Sequence, residues 1–306
     1  VNAPKGRFVR KLVVVALVGF VAQLVDGSLG MGYGVTSSTM LVLAGLTPLA
    51  ASASVHFSEL GTNIASGLAH WRLRNVEWPV VARIAGPGAV GAFLGATVLS
   101  ALATEWAKPV MSVILALLGF YIIVRFVVGI RPQLKKRLTT RFLAPLGLFA
   151  GFVDATGGGG WGPVATPALL SGGRLEPRKV IGSVDTAEFA VSGAASLGFL
   201  IGIGAAGISW SYALALLAGG LVAAPIAAYL VKIAPAHVLG VAVGGLIVLT
   251  NLPTILGTLQ VPGSARISAY IAVLLITAVG LYLAALRDKR RTAAPATDAA
   301  LESVNA

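Results

Sequence analysis

Apolar runs long enough to cross a bilayer recur along this chain, and two of them are interrupted by glycine. A membrane span needs about 20 apolar residues as a helix. Such runs lie near 12–24, 50–68, 80–102, 109–128, 180–203, 210–231, 238–256 and 267–286. Shorter ones, near 35–46, 142–153 and 163–170, flank two glycine-rich stretches. The pattern predicts an all-α polytopic membrane protein whose helices are Gly-broken or re-entrant, with about 8 to 10 membrane segments. Lipid leaves no partner for an open backbone, so irregular chain at membrane depth persists only where protein or a watery cavity surrounds it.

The breaks are copies of one motif. Val25, Asp26, Gly27, Ser28, Leu29, Gly30, Met31, Gly32, Tyr33 and Gly34 are echoed by Val153, Asp154, Ala155, Thr156 and Gly157 to Gly160, then Trp161 and Gly162. Asp26 and Asp154 lie 128 positions apart (154 − 26), and Glu59 and Glu188 lie 129 apart (188 − 59). Between them, the hexapeptide from Ser54 to Glu59 matches the one from Ser183 to Glu188. The chain therefore divides into an N-terminal stretch 1–11, a first membrane repeat 12–130, a basic linker 131–141, a second repeat 142–257, an extra C-terminal helix with a basic end 258–291, and a tail 292–306 whose composition reads as disordered. Repeats with glycine-interrupted segments at corresponding places point to a binding site at their interface. Parallel and inverted repeats both fit the sequence.

Composition narrows the class further. With 57% hydrophobic and 11% charged residues in 306 and a mean hydropathy of +0.88, the chain has too little polar surface for a soluble domain. Its net charge of +12 would suggest nucleic acid in a soluble protein. Here the basic residues gather at segment ends, so no nucleic-acid partner is expected. Lys5, Arg7, Arg10 and Lys11 precede the first run, Arg131 to Arg141 fill the linker, and Arg287 to Arg291 follow the last run. The positive-inside rule assigns all three clusters, and with them the N-terminus, to the cytoplasm of a multi-pass inner-membrane protein. The basic start followed by an apolar run has the form of a signal peptide, but the motif at Asp26 recurs in mid-chain, so the first run belongs to the folded unit. Without cysteine, disulfides and thiol chemistry are excluded.

Ionisable side chains at membrane depth cost about 2.5–3.5 kcal/mol each on insertion and are functional candidates by default. His56, Glu59 and Asn63 share one helix face, and Asp185, Glu188 and Ser192 repeat that spacing. We expect His56, Glu59, Asp185 and Glu188 to couple ion or proton movement, with a cap for broken helices as the structural alternative. Asp26, Asn63 and Asp154 are expected in structural roles, the aspartates capping free amides at the breaks. The glycines let backbone approach a ligand, and helix starts favour anions. Ser28, Gly30, Gly32, Tyr33, Thr36, Ser37, Thr156, Gly158, Gly159, Gly160 and Trp161 are therefore the expected anion-binding set. No nucleophile with its base and no metal-ligand cluster is recognisable, so neither an enzyme nor a cofactor or bound metal is expected.

The paired motifs, each a Gly-rich break, a short helix and a helix bearing Pro and Glu, resemble the TauE/SafE family of sulfite and organosulfonate exporters from about Leu12 to Leu286. The resemblance implies a bacterial inner-membrane secondary transporter that moves sulfite, sulfoacetate or related organosulfonates, proton coupling being one energy source it admits. A small anionic substrate and membrane lipids are the implied partners, and a homodimer is compatible. A cation- or proton-coupled carrier of a different small solute is the alternative.

Overall fold

The computed structural model describes residues 5–102, 104–128, 138–171, 175–230 and 236–304. The linker stretch 131–137, Arg174 and Lys232 lie outside the described residues. Among those described, the architecture is all helical: α1 (Lys5–Leu29), α2 (Tyr33–Leu43), α3 (Pro48–Arg72), α4 (Trp78–Ala101), α5 (Thr104–Val128), α6 (Thr140–Gly157), α7 (Trp161–Ser171), α8 (Pro177–Ile203), α9 (Trp210–Leu230), α10 (Ala236–Thr258) and α11 (Gly263–Val304), with one 3-10 turn at Ala205–Gly207. The last helix continues through the stretch whose composition reads as disordered. That stretch is rich in alanine, the strongest helix former.

Among the described residues, six helices are long and apolar enough to cross a membrane: α1, α4, α8, α9, α10 and α11. This is fewer than the segments expected. α3 is as long as α1, at 25 residues, but its buried polar residues, His56, Glu59, Asn63 and several serines, dilute its hydropathy. Large apolar side chains such as Ile201, Leu214 and Leu275 point outward. In lipid that exposure carries no hydrophobic penalty, and small residues mediate helix contact instead.

Those small residues fix the direction of each helix relative to its neighbours. Gly19 packs on Leu216 and Gly27 on Ala227, so α1 and α9 run the same way. Gly147 meets Ile84 and Gly151 meets Gly88, which makes α6 parallel to α4. Gly61 rests on Leu217, and Ser54 accepts the Ser209 amide at 3.1 Å; α3 and α9 are parallel. α3 and α8 cross in opposite directions, with Asn63 near Ser192 and Gly67 against Thr186. α10 opposes both α5 and α11, through Gly244 on Gly119 and Gly245 on Thr277. Consequently Arg10, at the start of α1, and Arg141, at the start of α6, lie at opposite ends of the bundle. The expectation that the three basic clusters share one side is not met: Arg10 and Lys11 are at one end, Arg141 and Arg287 at the other. The sharing of one side follows only if each break belongs to a single crossing, one of the two arrangements the sequence leaves open.

Local chemistry explains the helix boundaries. Thr47 accepts the Ala50 amide at 3.2 Å and Pro48 opens α3, a preferred N-terminal pairing. At the far end of α3, Glu77 receives Lys179 Nζ at 2.9 Å and donates its amide to Ser183 Oγ at 2.8 Å, fastening the α3–α4 turn to α8. The largest core cluster joins α3, α4, α6, α7 and α8 around Ile84, Leu143, Trp161, Val184 and Phe199.

Candidate functional site

Each glycine break is closed by its own aspartate. α1 ends at Leu29, the backbone turns through Gly30 and Gly32, and α2 begins at Tyr33, whose amide donates to Asp26 Oδ1 at 3.2 Å. α6 ends at Gly157, and α7 begins at Trp161. Asp154 Oδ1 accepts the Gly160 amide at 2.7 Å and the Trp161 amide at 3.0 Å. A carboxylate at a helix start satisfies orphan amides and complements the partial positive charge there. The same amides were expected to face an anion. In this structure their hydrogens are directed at carboxylates.

The two breaks also meet each other. Gly159, at φ 145°, lies against Gly34 and Val35 so closely that a Cβ would overlap their backbone. Gly162 packs in the same way on Gly30 and Met31. Two hydroxyls cross between the breaks: Ser38 Oγ donates to Gly158 O, and Thr166 Oγ donates to Gly30 O. Each carbonyl left open where a helix stops thus gains a donor from the opposite short helix.

Around these breaks, α3 and α8 bring their polar faces together with the aspartates. The ligand atoms of His56, Glu59 and Asp154 lie within 4.8 Å of one another, and so do those of Asp26, Asp185 and Glu188. Both clusters are buried. In each, the pair on the long helix meets the aspartate from the more distant break. His56 Nδ1 donates to Ser52 O at 2.8 Å, and Nε2 lies 3.1 Å from Asp154 Oδ2. Because a carbonyl oxygen can only accept, Nδ1 carries a hydrogen, and the Nε2–Oδ2 contact needs a second proton on either partner. Neither carboxylate oxygen of Glu59 or Asp185 makes a well-formed hydrogen bond among the described residues, although Asp185 lies beside Ser66 and Asp26.

The remaining expected residues separate into two groups. Ser28 Oγ donates to Val25 O, Thr156 Oγ to Gly95 O, and Trp161 Nε1 to Val184 O at 2.9 Å. Tyr33 Oη pairs with Ser58 Oγ at 3.0 Å. These polar atoms are engaged inside the protein, and Asn63 ties α3 to Ser192 on α8. Thr36 Oγ and Ser37 Oγ, by contrast, are buried without a partner among the described residues. Thr166 was missed, although its 128-residue spacing from Ser38 (166 − 38) extends the repeat register. Gln23, Ser66 and His70 were missed too; all are fully buried with unpartnered polar atoms. Gln23 lies one turn before Asp26, a weak signal that its surroundings alone make meaningful.

A cavity of about 530 Å³ also opens beside α3, α4 and α8, lined by Ile64, Leu68, Trp71, Trp78 and Phe189 among others. Its walls are apolar and much of the lining faces outward. It suits acyl chains better than an anion.

The sulfite exporter TauE/SafE family profile matches residues 15–254. Over 250 residues the chain is 50% identical to a Bacillus subtilis (strain 168) protein described as "Probable membrane transporter protein YtnM", covering 81% of this chain and 83% of that one. No solved structure matches. A polytopic helical bundle with paired broken helices, matched by this profile over most of its length, belongs to the TauE/SafE family of membrane transporters.

Proposed function

We propose that this protein is a secondary transporter that exports sulfite, sulfoacetate or a related organosulfonate across the bacterial inner membrane, with the anion held where the two Gly-broken helices meet. The observation that carries the reading is the pair of cross-linked breaks, beside which the Thr36 and Ser37 hydroxyls are buried and unpartnered. Hydroxyl donors at the start of a helix suit oxyanion oxygens. The anion enters a region of carboxylates, so protons accompany it. The His56–Asp154 contact, which already requires one, is the coupling element, with Glu59 and Glu188 beside the path.

The architecture under this reading is two inverted repeats, α1–α5 and α6–α10. Three relationships support it: α3 opposes α8, α5 opposes α10, and the α1–α9 neighbourhood corresponds to that of α6 with α4. A two-fold axis in the membrane plane relates such halves, and substrate sites lie on it. Arg72, Arg74, Arg83, Arg141, Arg178, Lys179 and Arg287 gather at one end of the bundle. That end is cytoplasmic by the positive-inside rule, and α1 starts outside.

Radiolabelled sulfite and sulfoacetate flux into proteoliposomes, with and without an imposed pH gradient, tests the reading. Gradient-driven flux of either anion is the expected result. Absence of flux for both would favour the second reading, a cation-coupled carrier of another solute, for which the carboxylate cluster of Asp26, Asp185 and Glu188 is the specific argument.

A further inference from the structure

We infer that Asp26, Asp185, Glu188 and the Ser66 hydroxyl form a binding site for a hard cation coordinated through oxygen, distinct from the His56 cluster. The two clusters occupy corresponding places, with one decisive exchange. Asp185 stands 129 positions after His56 (185 − 56), as Glu188 stands after Glu59. In the first cluster an imidazole supplies a donor to Asp154 at 3.1 Å. In the second an aspartate takes the imidazole's place, leaving three carboxyl groups with ligand atoms within 4.8 Å of one another. Among the described residues no Lys or Arg pairs with any of the three: Lys179 is paired with Glu77 and Arg178 with Glu176. Three buried carboxylates with no paired cation are a strongly unfavourable arrangement, and positive charge from solution relieves it.

A second observation points to a ligand. Ser66, on the facing helix α3, is fully buried and sits beside the Asp185 carboxyl, yet its oxygen makes no well-formed hydrogen bond. Both Asp185 oxygens, beside Ser66 and Asp26, likewise make no well-formed hydrogen bond among the described residues. Oxygens this close that make no well-formed hydrogen bond with one another are available as ligands for one ion. His70, one turn beyond Ser66, lies against the Gly27 backbone, and Glu59, also on α3, faces Asp26 and Glu188 from the neighbouring cluster. The donor set is carboxylate and hydroxyl oxygen, which selects a hard ion such as Na⁺ or Ca²⁺ over a soft transition metal.

The inference concerns binding and does not depend on which solute is transported. It is tested on the purified full chain in detergent, at fixed pH and ionic strength in choline chloride. Na⁺, Li⁺, Mg²⁺ and Ca²⁺ are titrated while Tm is followed, and ²²Na⁺ and ⁴⁵Ca²⁺ binding is measured directly. The expected result is saturable binding of one of these ions, with affinity about 10-fold weaker in Ser66→Ala and binding lost in Asp185→His, which restores the imidazole of the first cluster. Should Asp185→His fail to fold, Ser66→Ala decides. Absence of saturable binding, or an affinity unchanged in Ser66→Ala, overturns the inference. Anion flux is read in a separate assay, so failure here is distinguishable from failure of the exporter reading.

Discussion

His56 Nε2 lies 3.1 Å from Asp154 Oδ2, joining a helix from the first part of the chain to the glycine break of the second. Since Nδ1 is committed to Ser52 O, that contact stores a proton midway between two elements that must separate if the breaks move. His56→Gln keeps an amide donor near Asp154 but removes the titratable group. Asp154→Asn keeps an Oδ1 acceptor for the Gly160 and Trp161 amides while removing the charge. Both variants should fold and yet lose the response of flux to an imposed pH gradient. A gradient response equal to wild type in both would show that the proton is carried elsewhere.

The Ser38 and Thr166 hydroxyls each satisfy a carbonyl of the opposite break. Removing a donor from a buried acceptor costs about 1–3 kcal/mol. Ser38→Ala and Thr166→Val should therefore each lower Tm, by similar amounts because the two bonds occupy corresponding places. The double variant should depart from additivity, since both bonds clamp the same pair of breaks. Unchanged Tm in both single variants would mean the cross-links do not hold the breaks together.

Gly159 combines a φ of 145° with backbone contact to Gly34 and Val35. Strain of that kind costs about 1–3 kcal/mol, and here the overlap adds to it. Gly159→Ala should yield little monodisperse protein, or a protein with a much lower Tm. Gly257→Ala, where a Cβ would meet open space, is the matched control and should behave as wild type. Equal stability of the two variants would show that the breaks pack less tightly than the geometry indicates.

Thr36 and Ser37 lie beside the same junction, where their hydroxyls have no partner among the described residues. Thr36→Val and Ser37→Ala remove a donor without breaking an internal hydrogen bond, so stability should change little. If these hydroxyls hold the anion, KM for flux should rise about 10-fold, close to the loss of one good hydrogen bond. A lowered Tm with unaltered KM would instead assign them a structural role.

Much of this organisation was legible in the sequence because membrane insertion leaves strong traces. Long apolar runs marked the helices, and the spacing of Asp26 and Asp154 located both breaks. The partner exchange was not legible. Sequence spacing places His56 beside Glu59 on one face, but only the antiparallel crossing of α3 and α8, together with the contact between the two breaks, brings His56 to Asp154 and Asp185 to Asp26. At the Gly160 and Trp161 amides the sequence offered both an aspartate cap and an anion, since a helix start next to a carboxylate reads for either; in the structure those amides are directed at Asp154 Oδ1. Ser66 and Gln23 gave little signal, since an isolated serine or glutamine in an apolar run is ordinary until its surroundings show it unpartnered.

The direction of the helices has a direct test, made simpler by a chain without cysteine. Arg10 and Arg266 are exposed at the starts of α1 and α11, and Arg141 and Arg287 are exposed at the start of α6 and late in α11. Single substitutions Arg10→Cys, Arg266→Cys, Arg141→Cys and Arg287→Cys can be labelled in intact cells and in inverted vesicles with a membrane-impermeant maleimide. Opposed ends require Arg10→Cys and Arg266→Cys to react from the same side, and the other two from the opposite side. Parallel repeats would place positions 10 and 141 together. Because α11 joins the two ends, positions 266 and 287 report the crossing of one helix independently of the repeats. Labelling of 10 and 141 from one side while 266 and 287 divide would therefore reject the inverted arrangement specifically, and with it the placement of the substrate site on an axis in the membrane plane.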